Sequence, residues 1–229
     1  MLKAVLFDWG NTLARFEWDD ARLEAGHRAG LAALGRAAEA PAFTEHFRRD
    51  VLPRLAPGDD YEALLATELG ADAEGAQAFL RGEQGAWRGA TSLVGTAHAL
   101  LETLRERGFK LAVVANHWPE PAWAVRDEIE RLGVADRVDE IVLAGETGSR
   151  KPDSAIFRLA LERLGVEADE AMFVGDRLDV DIRGAAELGM VTVQAFWFRA
   201  DEADGPEPDF LAFTPMDVLN AARRVALPG

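Results

Sequence analysis

Ala4-Val5-Leu6-Phe7-Asp8-Trp9-Gly10-Asn11-Thr12-Leu13 is the stretch from which the fold can be read. Four apolar residues run unbroken into a carboxylate and then a glycine, the pattern of a short strand buried on both faces of a parallel sheet. Working outward, the pattern recurs. Leu111 to Val114 runs to Asn116, Ile141 to Leu143 to Gly145, Met172 to Val174 to Gly175 and Asp176, and Val191 to Val193 to Gln194. Between these runs, Ala97, Leu100, Leu101 and Leu104 share one helix face, as do Ile156, Phe157, Ala160, Leu161 and Leu164. Strands alternating with helices predict an α/β fold built on a right-handed, doubly wound parallel sheet. Such sheets bind ligands at the carboxyl ends of their strands.

Residues 17–88 break the alternation. They read as four helical pieces, about 19–36, 42–52, 59–70 and 73–87, divided by Pro41, by Pro53 with Pro57-Gly58, and by Gly70. No strand-like run interrupts them, so an all-helical cap is expected at 17–88, inserted into a core of residues 1–16 and 89–229. The acidic stretch Asp201 to Pro208 reads as a loop, followed by a short strand near Phe210 to Phe213 and a last helix over 216–226.

Composition narrows the partners. With 40 acidic against 25 basic residues the net charge is -15, which argues against nucleic acid and against anionic membrane surfaces. Cysteine is absent, which removes disulfides, thiolate metal sites and cysteine nucleophiles. Met1 to Phe7 is too short for the apolar segment of a signal peptide, and no apolar stretch of about 18 residues occurs. A cytoplasmic protein is expected.

Three strand ends carry polar groups that the sheet would bring together: Asp8, Asn116 and Asp176. Taken singly, an aspartate after a strand is a cap or turn residue. Two carboxylates on neighbouring strand ends, however, repel unless a cation lies between them, and oxygen donors on a rigid scaffold suit Mg²⁺. Lys151 precedes a helix start marked by Pro152 and Asp153, so an ammonium and a helix N-terminus face the same region, as a phosphate pocket requires.

These residues resemble the haloacid dehalogenase (HAD) superfamily. Leu6-Phe7-Asp8-Trp9-Gly10-Asn11-Thr12-Leu13 is similar to its first motif, Val113-Val114-Ala115-Asn116 to its second and Lys151-Pro152 to its third. Phe173-Val174-Gly175-Asp176-Arg177-Leu178-Asp179-Val180-Asp181 is similar to the acidic fourth. The resemblance covers nearly the whole chain, with the helical insertion matching a C1-type cap. It implies a hydrolase acting on a small phosphorylated substrate, with Asp8 as the nucleophile that forms an aspartyl-phosphate and water as the agent that cleaves it. It implies Mg²⁺ held by Asp8, the Gly10 carbonyl and Asp176, with Asp181 or Asp179 nearby. Lys151, Asn116 and Thr12 would complete the catalytic set, and Trp9, Asn116, His117 and Lys151 would contact substrate.

The chain departs from the family pattern at three positions. Gly10 stands where the phosphatases carry a second aspartate, Ala115 where a hydroxyl residue is usual, and Val180 where an amide or carboxylate is common. A glycine cannot protonate a leaving alkoxide, whereas the carbonyl that binds metal belongs to the backbone and survives. General acid catalysis is typically worth about 10² to 10⁴ in rate. Either another acid serves (His117, Glu17, Asp19 or Asp20), or the substrate needs none, as with an acyl or aryl phosphate. Two branches that lack the second aspartate are disfavoured. The phosphonate-cleaving enzymes use a cap lysine, and the only lysines here are Lys3, Lys110 and Lys151; the true 2-haloacid dehalogenases lack the magnesium-type acidic motif. The rival is a catalytically impaired member that keeps its metal and phosphate pocket as a binding or regulatory module.

Trp9, Trp18, Trp87, Trp118 and Trp197 fall near strand ends and the insertion's hinges, where they either wall an entrance or pack the hinge. His27, His46 and His98 read as packed or solvated histidines, and Arg88 and Arg199 as surface residues.

Overall fold

Every apolar run singled out above is a strand. The computed structural model describes residues 1–56, 59–117, 121–198 and 203–226; Pro57-Gly58, Trp118, Arg199 and the start of the acidic stretch at Asp201 lie outside them. In chain order the elements are β1 (Ala4–Phe7), β2 (Ala14–Phe16), α1 (Asp20–Ala33), α2 (Ala40–His46), α3 (Tyr61–Leu69), α4 (Ala73–Trp87), β3 (Thr91–Leu93), α5 (Ala97–Glu106) and β4 (Lys110–Ala115). There follow α6 (Ala122–Arg131), β5 (Glu140–Leu143), α7 (Ala144–Thr147), α8 (Ser154–Leu164), β6 (Ala171–Gly175), α9 (Arg183–Glu187), β7 (Val191–Ala195), β8 (Phe210–Ala212) and α10 (Pro215–Ala226). The chain divides into two compact units: Met1–Phe16 with Ser92–His117 and Arg126–Gly229, and Glu17–Thr91 with Trp118–Val125.

The first unit holds a six-stranded sheet in the order β5-β4-β1-β6-β7-β8, parallel throughout. Ala4, Leu6, Ala112, Val114, Ala171 and Phe173 point to one face and pack with Ile156, Phe157, Ala160 and Leu161 of α8. With the two-residue period of a strand, Val5, Phe7, Leu111, Val113, Met172 and Val174 point to the other face, and all are buried. That double burial is why the strands read as continuous apolar runs. The chain builds β4 and β5 on one side of β1, then crosses to build β6, β7 and β8 on the other. The reversal makes the carboxyl end of β1 the switch point.

The second unit is helical, and its close packing depends on glycine. A Cβ at Gly30 would lie 2.6 Å from Phe79, and one at Gly82 would lie 2.7 Å from the Ala29 carbonyl oxygen, so α1 and α4 meet backbone to backbone. Leu31, Phe47, Leu65 and Phe79 fill its core. Each helix also contributes one polar group to a buried set: His27 pairs with Thr44 Oγ1 at 2.9 Å and faces Glu83 at 3.5 Å, and the Tyr61 hydroxyl donates to Glu83. Among the described residues no helix is long and apolar enough to cross a membrane.

Candidate active site

Register brings the site residues together. Phe7 is paired with Val113 on β4 and with Val174 on β6, so the residues that follow these strands emerge side by side. The Asp8 N–H donates to the Val174 carbonyl at 2.9 Å, extending the ladder one step and fixing the nucleophile candidate at the sheet edge. Asp8, Asp176 and Asp181 are all buried, and one carboxylate oxygen from each lies within 4.8 Å of the others. Asp181 arrives from a π-type turn over Leu178–Ile182, in which its N–H donates to the Arg177 carbonyl and its Oδ2 accepts the Arg177 N–H. Gly175 makes this possible, because a Cβ there would stand 2.4 Å from that of Asp181. Asp179 pairs with the Arg177 guanidinium through both oxygens. Of the two carboxylates considered, Asp181 lies in the cluster with Asp8 and Asp176, and Asp179 is paired with Arg177.

Lys151 sits among these acids. Its Nζ donates to Asp8 Oδ1 at 2.6 Å and to Asp181 Oδ1 at 2.7 Å, and lies 5.2 Å from the centre of the Phe173 ring. Burial alone would depress the ammonium, but Asp181 and Asp8 outweigh it and hold Lys151 above the ordinary lysine value. Burial pushes the Asp8 carboxyl up to about 7, against the pull of Lys151 and with the charges of Asp181 and Asp176 adding to it. Three buried carboxylates within 4.8 Å of one another, two of them bonded to Lys151, concentrate negative charge. A divalent cation would cancel it, and an all-oxygen donor set suits a hard ion. The residues present fit Mg²⁺.

The loop after β1 is wound around one carbonyl. The Trp9 oxygen accepts from the N–H groups of Thr12, Leu13 and Ala14, while Asn11 takes φ 57°, a left-handed conformation that asparagine tolerates. Thr12 is fully buried, and its Oγ1 has no hydrogen-bond partner among the described residues. An unpartnered buried hydroxyl in the loop that follows Asp8 is open to a hydrogen-bonding group from outside the chain. Trp9 is itself buried. At Gly10 nothing lies within 4 Å of where a Cβ would stand.

Two of the residues expected to contact substrate also make bonds within the protein. Asn116 accepts the Lys151 N–H through Oδ1 and donates to the Lys151 carbonyl through Nδ2, both at 2.8 Å, so its amide clamps the backbone of the lysine. His117 accepts the Gly145 N–H at Nε2, 2.9 Å away, so that nitrogen carries no proton. Asp153 caps α8 by accepting from the Ala155 N–H, as its place before the helix suggested. Asp19, considered as a substitute acid, likewise caps α1. Sequence reasoning passed over two residues at the site's edge. Gln194, buried at the end of β7, reaches the Asp176 carbonyl at 3.4 Å, and Trp197 donates from Nε1 to the Thr12 carbonyl at 2.8 Å, bracing the first loop. Gln194 carried a signal, since it ends an apolar run. Trp197 was noticed only as an aromatic.

A family model for the haloacid dehalogenase-like hydrolases matches residues 2–189. This chain belongs to that family. A glyceraldehyde 3-phosphate phosphatase of Methanopyrus kandleri is 40% identical over 130 residues, 55% of this chain and 54% of its own length. A ribulose-1,5-bisphosphate 5-phosphatase of Halopiger xanaduensis is 40% identical over 116 residues, 51% and 46% of the two lengths. The chain thus spans about half the length of these curated relatives. A solved 2-haloacid dehalogenase from Pseudomonas syringae pv. Tomato is similar over 99% of this chain and 100% of its own, with a TM-score of 0.67 and 27% identity. In this HAD-like chain the four segments that resemble the family motifs lie at the ends of β1, β4 and β6 and at the approach to α8.

Proposed function

We propose that the chain is a Mg²⁺-dependent phosphatase of small phosphorylated metabolites, working in the cytoplasm through an aspartyl-phosphate on Asp8, with the helical segment 17–88 acting as a C1-type cap. The observation that carries this reading is the meeting of Asp8, Asp176, Asp181 and Lys151 at the carboxyl ends of the central strands. A cytoplasmic setting accords with the cysteine-free composition.

The Asp8 carboxylate attacks phosphorus, the bond to the leaving oxygen breaks, and water then releases inorganic phosphate and regenerates Asp8. Asp8, the Gly10 carbonyl and Asp176 would hold Mg²⁺, which supplies positive charge opposite the oxygens of the transferring group. Lys151 fixes the rotamer of Asp8 and neutralises charge on the phosphoryl oxygens. Asp181 anchors Lys151 from the other side and keeps its ammonium charged. Asn116 sets the lysine's backbone, a positioning task. Thr12 Oγ1 is available to a phosphoryl oxygen. The curated relatives named above are phosphatases of small phosphorylated metabolites, which supports that general class of reaction.

A second reading, a metal- and phosphate-binding module of low activity, is favoured by the bare Gly10 and by Ala115. Turnover of an aryl phosphate with and without Mg²⁺, for the native chain and Asp8→Asn, separates the two. The phosphatase reading expects magnesium-dependent turnover that Asp8→Asn abolishes. Mg²⁺ binding without turnover of any phosphate supports the module.

A further inference from the structure

We propose that this site cleaves phosphoryl donors whose leaving group departs as a stable anion, the acyl and aryl phosphates, and turns over alkyl phosphates poorly. The inference rests on the phosphatase reading and names its substrate class. An alkoxide is too basic to leave unprotonated, so cleavage of an alkyl ester draws on a proton donor aimed at the bridging oxygen, worth about 10² to 10⁴ in rate.

Among the described residues of the core, Lys151, Asn116 and His117 are each held by bonds within the protein. Lys151 donates to Asp8 and Asp181. Asn116 spends both ends of its amide on the Lys151 backbone. His117 holds the Gly145 N–H through Nε2. Thr12 Oγ1 is without a partner, but a hydroxyl is no stronger an acid than the alcohol being released. Residue 10, in the loop directly after the nucleophile, has no side chain, and the space beside it is open.

In the step itself, an Asp8 oxygen bonds to phosphorus and the bond to the leaving oxygen breaks. Its electron pair departs as a carboxylate or phenolate, with no proton taken up. Water then cleaves the aspartyl-phosphate, giving inorganic phosphate and the Asp8 carboxylate and releasing a proton to solvent.

The test is kcat/KM of the full chain with Mg²⁺ over a series of substituted phenyl phosphates, acetyl phosphate, glycerol phosphate and glyceraldehyde 3-phosphate. The expected result is a steep fall as the leaving group becomes more basic, with alkyl esters at least about 10²-fold below the activated ones. Gly10→Asp, whose Cβ would meet nothing within 4 Å, is expected to raise alkyl ester turnover by about 10²-fold and flatten the series. The native series decides the matter even if the variant misfolds. Alkyl esters cleaved within about tenfold of aryl esters would overturn the proposal by revealing a proton donor the core does not supply, while leaving the phosphatase reading intact. No turnover of any phosphate would overturn both.

Discussion

Lys151 and Asp8 set the charge balance of the site, and their environment has a consequence for pH. Asp8 titrates near 3.8 in an unfolded chain and at about 7 in the folded, metal-free protein. Between those values the folded state retains a proton that the unfolded state has released, so stability falls as pH rises from about 4 to about 7 and levels beyond. Mg²⁺ needs the ionised carboxylate and competes with that proton. The increase in Tm on adding Mg²⁺ is therefore expected to be small near pH 5 and full near pH 8; an equal increase at both would contradict the raised Asp8 value. Asn116→Ala removes both bonds to the Lys151 backbone and is expected to cost about 1 to 3 kcal/mol. It should lower kcat with Mg²⁺ affinity largely retained, whereas loss of Mg²⁺ binding would place Asn116 in the metal site. Asp8, Asp176 and Lys151 were legible because each ends a strand or precedes a helix start. The clamp of Asn116 on Lys151 was not, because it joins residues 35 apart in sequence, and the bond of His117 to Gly145 spans 28. Such pairs follow from strand adjacency, which the sequence leaves open.

At the scale of elements, the strands that were easy to see are buried on both faces, and the ones that were missed are not. β2 and β3 are three-residue strands, and in β2 both Arg15 and Phe16 are exposed, so neither the apolar run nor strict alternation marks them. The helical piece expected at 42–52 is α2 followed by a π-type turn over Phe47–Val51, a change of winding that apolar spacing does not distinguish. Asp181 reaches the acid cluster through a second π-type turn, consistent with the tendency of such turns to fall at functional sites. The packing of α1 on α4 offers a matched pair of substitutions within one helix. Gly82→Ala puts a Cβ 2.7 Å from the Ala29 carbonyl oxygen and is expected to destabilise by about 1 to 3 kcal/mol. Gly85→Ala meets nothing within 4 Å and is expected to stabilise by about 0.5 to 1 kcal/mol, through the better helix propensity of alanine. Denaturant titration checks both; equal effects would mean that α1 and α4 do not meet as closely as described.

For the whole molecule, the doubly wound class could be read from alternating runs, but the order β5-β4-β1-β6-β7-β8 could not. It depends on which crossover reverses direction, and a parallel strand buried on both faces looks the same at any place in the sheet. That order is what matters for function, since it sets β1 between β4 and β6 and so assembles Asp8, Asn116 and Asp176 from strands distant in sequence. The account therefore turns on whether Asp8 at this junction takes up a phosphoryl group. Mass spectrometry of the acid-quenched protein after mixing with acetyl phosphate and Mg²⁺ tests this most directly. The predicted result is one added phosphoryl group on the peptide containing Asp8, absent without Mg²⁺ and absent from Asp8→Asn. Turnover that survives Asp8→Asn, or a phosphoryl group found on another residue, would contradict it.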